Sequence, residues 1–90
     1  MFYYLFKIKR YVKLILIIKW DKVTGATGYN VYRKVTGGSW SRIATVKSGS
    51  TVTYTNKSLS SKKTYYYTVR AYNGSYLSSY VSSGIKGITK

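Results

Sequence analysis

Ninety residues make one small domain, and sixteen Lys and Arg against a single acid, Asp21, give it a formal charge of +15. A hydrophobic content of 44% places the chain among folded proteins despite that charge. With no His, no Cys and one carboxylate, the side-chain inventory excludes paired-carboxylate hydrolysis, Ser–His–Asp and Cys–His nucleophiles, disulfides, and thiolate or imidazole metal centres.

Along Phe2–Trp20 the even positions are nearly all apolar: Phe2, Tyr4, Phe6, Ile8, Val12, Leu14, Leu16, Ile18 and Trp20. The odd positions carry Lys7, Lys9, Lys13 and Lys19. Period 2 is the strand signal. One straight strand of that length would run roughly 65 Å, far beyond a small domain, so a bend is expected at Lys9–Tyr11, where Arg10 interrupts the apolar row. A short apolar helix is the competing reading. The lysines leave Leu14–Ile18 as the longest uncharged run after them. That is too short for a transmembrane span or a signal-peptide core, and Lys19-Trp20-Asp21 is no small-residue cleavage site.

After Trp20 the punctuation sharpens. Asp21–Gly28 reads as a loop, Gly28–Val35 as a strand and Gly37-Gly38-Ser39 as a turn. Trp40–Val46 is a strand, Lys47-Ser48-Gly49 a turn and Thr51–Thr55 a short strand. Asn56–Lys63 reads as a polar loop with one apolar residue, Leu59. Thr64–Tyr72 is a strong strand, Asn73-Gly74-Ser75 a turn, and a last strand lies within Val81–Thr89. About seven short strands at roughly 8–12-residue spacing predict an all-β sandwich. Residues 14–90 form the expected domain, with 1–13 an atypical N-terminal strand or segment.

Three stretches in this order carry a family resemblance. Trp20-Asp21-Lys22-Val23-Thr24-Gly25-Ala26-Thr27-Gly28-Tyr29-Asn30-Val31-Tyr32-Arg33 resembles the second-to-third strand segment of bacterial fibronectin type III modules. Ile43-Ala44-Thr45-Val46 followed by Tyr54-Thr55-Asn56 is similar to the middle segment of that family. Leu59, Tyr65, Val69 and Ala71 stand at its characteristic spacing. The resemblance covers about Leu14 to Lys90; the first strand departs from it, because no Pro or Gly marks the connection before the Trp strand. It implies an immunoglobulin-like sandwich in which Trp20 fills the centre against Val31, Ile43 and Val69. Tyr65 makes a tyrosine corner, its hydroxyl bonding backbone within Asn56–Lys63, with Leu59 packed beneath and Ala71 on the same inward face.

If those residues point inward, their neighbours point out. Tyr32, Lys34, Trp40, Arg42, Tyr66, Arg70 and Tyr72 then share one basic, aromatic-rich face, since the family places their three strands side by side. Rings and cations together suit single-stranded nucleic acid or sugar polymers. The same pairs also serve simply to stabilise a sheet, by about 0.2–1 kcal/mol each. Likewise the charge either recruits anionic wall polymer, glycan or nucleic acid, or merely keeps the surface soluble. No signature of specific nucleic-acid recognition and no Arg-Gly-Asp sequence is present.

No catalytic residue, cofactor or metal site is expected. The resemblance implies a non-catalytic spacer or binding unit of an extracellular or cell-surface protein, partnered by neighbouring domains. A charge-driven polyanion binder is the alternative, and an interaction unit using an exposed strand edge a third reading.

Overall fold

The computed structural model of the chain describes residues 3–9, 14–78 and 84–89. Eight strands are present among them: β1 (Tyr3–Lys9), β2 (Leu14–Trp20), β3 (Gly28–Val35), β4 (Ser41–Val46), β5 (Thr53–Leu59), β6 (Thr64–Asn73), β7 (Tyr76–Leu77) and β8 (Ile85–Ile88). They form two antiparallel sheets, β1-β2-β5 and β4-β3-β6, with β7 and β8 both paired to β6 on the edge opposite β3. This is the expected all-β sandwich. The helical alternative for the N-terminal stretch is excluded, because β1 and β2 pair as strands with a register shift between Leu5 and Lys7. The bend expected at Lys9–Tyr11 falls largely on residues 10–13, outside the described residues.

The two inner faces meet as period 2 requires. On β2, Leu16, Ile18 and Trp20 are buried while Ile15, Ile17 and Lys19 are half-buried. From the facing sheet come Tyr29 and Val31 of β3, and Tyr65, Tyr67, Val69 and Ala71 of β6. Trp20, 2% exposed, lies 5.3 Å from the Tyr29 ring at an interplanar angle of 58°, a favourable tilted pair. The Tyr29 hydroxyl accepts from Val23 N–H and donates to Gly49 O, both at 3.0 Å, tying two loops to the core.

Several boundaries differ from the sequence reading, each for a local reason. Asn56–Leu59, read as loop, belongs to β5. Polar residues continue that strand because Asn56 points inward as an acceptor: its Oδ1 receives Tyr67 OH at 2.6 Å and Arg33 Nη1 at 3.0 Å. A bulge then follows. Leu14 pairs with Leu59 but Leu16 with Asn56, and the extra β5 residue brings Ser58 into the left-handed region at φ +58°. Thr51 and Val52 precede β5, and Trp40 precedes β4. The final edge is split: β7, unforeseen in the sequence, pairs with Tyr72 and Asn73, whereas β8 pairs with Thr64–Tyr67. The portion of the expected last strand at 81–83 lies outside the described residues.

The Tyr65 hydroxyl accepts the Ser60 backbone N–H at 3.0 Å, and Leu59 packs half-buried against the core. Ile43 is also only half-buried. Val31 pairs with Ala44 and Tyr32 with Arg42, so β4 carries an extra residue at Ile43, on an edge strand. That bulge matters for the outer face, because it turns Ala44 inward and Thr45 outward, reversing the alternation that plain counting from Ile43 gives.

Candidate binding face

On β3 and β6 the even-numbered residues face away from the core. Register lays them in rows: Gly28 beside Tyr72, Asn30 between Thr45 and Arg70, Tyr32 between Arg42 and Thr68, and Lys34 beside Tyr66, which adjoins Lys86 of β8. All seven residues singled out in the sequence therefore stand on or beside one face of the five-stranded sheet.

Toward the β8 end, Lys34 Nζ lies 5.1 Å from the Trp40 ring centroid and 5.6 Å from that of Tyr66, a cation between two π-faces. Trp40 folds across the sheet as far as Gly84. A Cβ there would stand 2.6 Å from Trp40 Cη2, and Gly84 has φ +70°, so both space and backbone call for glycine. Opposite Tyr32, Thr68 is fully buried although it points outward, and its Oγ1 has no hydrogen-bond partner.

Toward the other end, the tip of the Tyr72 ring reaches over Gly28. A Cβ at Gly28 would collide with the Tyr72 Cζ and hydroxyl and stand 2.6 Å from Val46 O. Arg70 donates from Nε to Ser78 O at 2.8 Å, so part of its guanidinium serves the β7 edge. Asn30, 7% exposed, forms a floor, and its Oδ1 accepts from Thr45 Oγ1 at 3.1 Å. Arg42 is exposed above it. A cleft of about 290 Å³ opens here, between Arg42 and Thr45 on one side and Tyr72 and Leu77 on the other. A second cleft, about 210 Å³ and mostly apolar, lies where Val23 and Ala26 approach Ala71 and Tyr76.

Sequence reasoning pointed Asn30 outward without counting it in the patch, and it missed Thr45, Lys86 and Gly84 as parts of this face. Asn30 and Lys86 are legible from alternation once strand bounds are known; Thr45 needs the β4 bulge. It also missed Arg33, which points inward, donates to Asn56 and lies 5.4 Å from the Tyr65 ring centroid. Among the described residues no group of three or more His, Cys, Asp or Glu side chains could hold a metal, and no helix is long and apolar enough to cross a membrane.

Two antiparallel sheets of this order, packed around one indole and closed by a tyrosine hydroxyl on the connection between them, define an immunoglobulin-like β-sandwich. Within that class the chain has the fibronectin type III fold. The structure of FN3tt mut superposes with a TM-score of 0.77 at 20% identity, covering 94% of this chain and 87% of that one. An Fn3-like protein from Clostridium thermocellum gives a TM-score of 0.63 at 26% identity over 84% of this chain and 75% of that one. Chicken CNTN1 FN1–FN3 domains give 0.69 at 18% identity, covering 93% of this chain but 28% of that one. No protein-family model matches the sequence, and no curated protein matches it.

Proposed function

We propose that the chain is a non-catalytic module of a larger extracellular or cell-surface protein, and that it binds an anionic polymer through the outer face of its five-stranded sheet. One observation carries this reading: Lys34, Arg42, Arg70 and Lys86 share that face with Tyr32, Trp40, Tyr66 and Tyr72, and no carboxylate stands among them. With one acid in the whole chain, the field of this face is uncancelled and attracts polyanions. A spacer role is the second reading. It is favoured by the likeness to one part of a longer multidomain chain, in which this fold is one unit among several.

Retention on inorganic polyphosphate, measured across a salt series, separates the two. Replacing Lys34, Arg42 and Lys86 by Ser removes three cations from the face; replacing Lys22, Lys57 and Lys62 removes three from elsewhere. If the face binds, the first triplet lowers the slope of log affinity on log salt by about 2–3, and the second by clearly less. Equal losses from both triplets, with no retention at physiological salt, leave only the spacer.

A further inference from the structure

The cleft at Asn30 has a chemistry distinct from that of the general basic face. We infer that it is a subsite for one carboxylate-bearing sugar unit of an acidic glycan. The inference rests on the five-stranded face being the binding face and assigns its ligand.

The polar groups are donors set for an oxygen-rich ligand. Asn30 Oδ1 is occupied by Thr45, which leaves the amide NH₂ of a nearly buried floor residue to donate into the cleft. Arg42, exposed at the rim, offers the fork that matches a carboxylate. The opposite side presents two apolar surfaces, the Tyr72 ring, held over Gly28, and Leu77, 40% exposed, with Gly74 and Ser75 beside them. Hydroxyls and a carboxylate on one side and a C–H face on the other describe a uronate-type sugar. The depression, about 290 Å³ and open to solvent, offers room for one unit of a chain lying on the sheet.

The same face is poorly arranged for single-stranded nucleic acid, which is gripped by stacking bases on free aromatic faces. Lys34 Nζ already sits over both Trp40 and Tyr66. Trp40 is further spent on Gly84. The apolar cleft beside Tyr76 has no cation among its lining residues and offers nothing to a carboxylate.

The test is a nitrogen-edited NMR titration of the whole chain at physiological salt. The probes are trigalacturonate, its neutral galactose counterpart and an oligo(dT) of matched charge. Trigalacturonate is expected to shift the Asn30 side-chain amide, to outbind the neutral trisaccharide by roughly tenfold or more, and to lose roughly tenfold or more with Arg42→Ser but under about twofold with Lys86→Ser. If oligo(dT) binds the same face as well as trigalacturonate, with Arg42→Ser and Lys86→Ser costing alike, the subsite is overturned while the charge-driven face survives. If no probe shifts any resonance of the five-stranded face, both fall together.

Discussion

Asn56 is where a polar residue inside the sandwich can be tested most severely. Its Oδ1 is the acceptor for two donors from the opposite sheet: the Tyr67 phenol, which is fully buried, and Arg33, which is half-buried. Asn56→Leu keeps the approximate volume and removes the acceptor. A buried phenol left without a partner costs about 1–3 kcal/mol, and loss of a bond from a charged donor about 1.5–3 kcal/mol, the lower end applying because Arg33 reaches water. With some return from the added apolar surface, the net loss is about 3 kcal/mol. Small domains have about 5–15 kcal/mol in total, so the melting temperature should fall by roughly 12–24 °C. Urea unfolding followed by circular dichroism measures it. The decisive control is Tyr67→Phe in the Asn56→Leu background, which removes the stranded hydroxyl and should recover about 1–2 kcal/mol. A double variant no more stable than Asn56→Leu would refute the assignment of Asn56 as the partner of Tyr67. Burial pushes the Tyr67 phenol well above the usual tyrosine range, with Arg33 pulling it partly back. The unfolded chain therefore loses this proton first as pH rises past about 10, and stability declines from there; Tyr67→Phe should remove that share of the alkaline decline.

Two further substitutions probe the opposite situations. Tyr65→Phe deletes the acceptor of Ser60 N–H while keeping the ring under Arg33 and Lys63; because Ser60 is exposed and water can take its place, the loss should be about 1 kcal/mol by urea denaturation, and an unchanged midpoint would remove the corner from the list of things holding the two sheets together. Thr68→Val should do the reverse, exchanging a fully buried, unpartnered hydroxyl for a methyl of the same shape, and should stabilise the domain by about 1–2 kcal/mol; a lower melting temperature would mean that the hydroxyl has a partner.

How far the sequence carried the architecture can be judged strand by strand. Gly28–Val35 coincides with β3 because Gly28 and the turn at Gly37 bracket an unbroken alternation. β2 was less plain: its even residues are apolar, but Ile15 and Ile17 are apolar too, which left a short helix as a competing reading of the N-terminal stretch. Where reading failed, the cause was a bulge or a tertiary partner. Asn56-Lys57-Ser58 looks like loop because its one inward residue is polar, and only Arg33 and Tyr67, distant in sequence, justify an amide there. β7 has two residues and no period to detect. On the candidate face, alternation showed which residues point outward, the family resemblance set their strands side by side, and only the register pairs Lys34 with Tyr66 and Tyr32 with Arg42. Alternation could not show that the rings are laid down on cations and glycines, and a strand pattern carries no information about that.

A chain with a single acid must satisfy its inward and outward cations without carboxylates, and the structure shows what replaces them. Arg33 takes a neutral amide oxygen and the Tyr65 ring; Lys34 takes two rings; Lys63 lies 6.0 Å from the Tyr65 centroid; Arg70 takes a backbone carbonyl. Each of these acceptors orients and partly desolvates a cation, but none cancels its charge, as an ion pair would. The abundance of tyrosine and the scarcity of acids are thus two sides of one solution. Rings supply local complementarity, so the sandwich closes around Arg33 without a buried carboxylate, while the net positive field persists outside. A mixed-charge surface of equal stability would be indifferent to polyanions. This one stays attractive to them over roughly a Debye length, about 8 Å at physiological salt. Adding carboxylates opposite Lys34 or Arg42 should therefore abolish polyphosphate retention while leaving the unfolding midpoint nearly unchanged, and a parallel loss of both would show that the charge serves the fold itself.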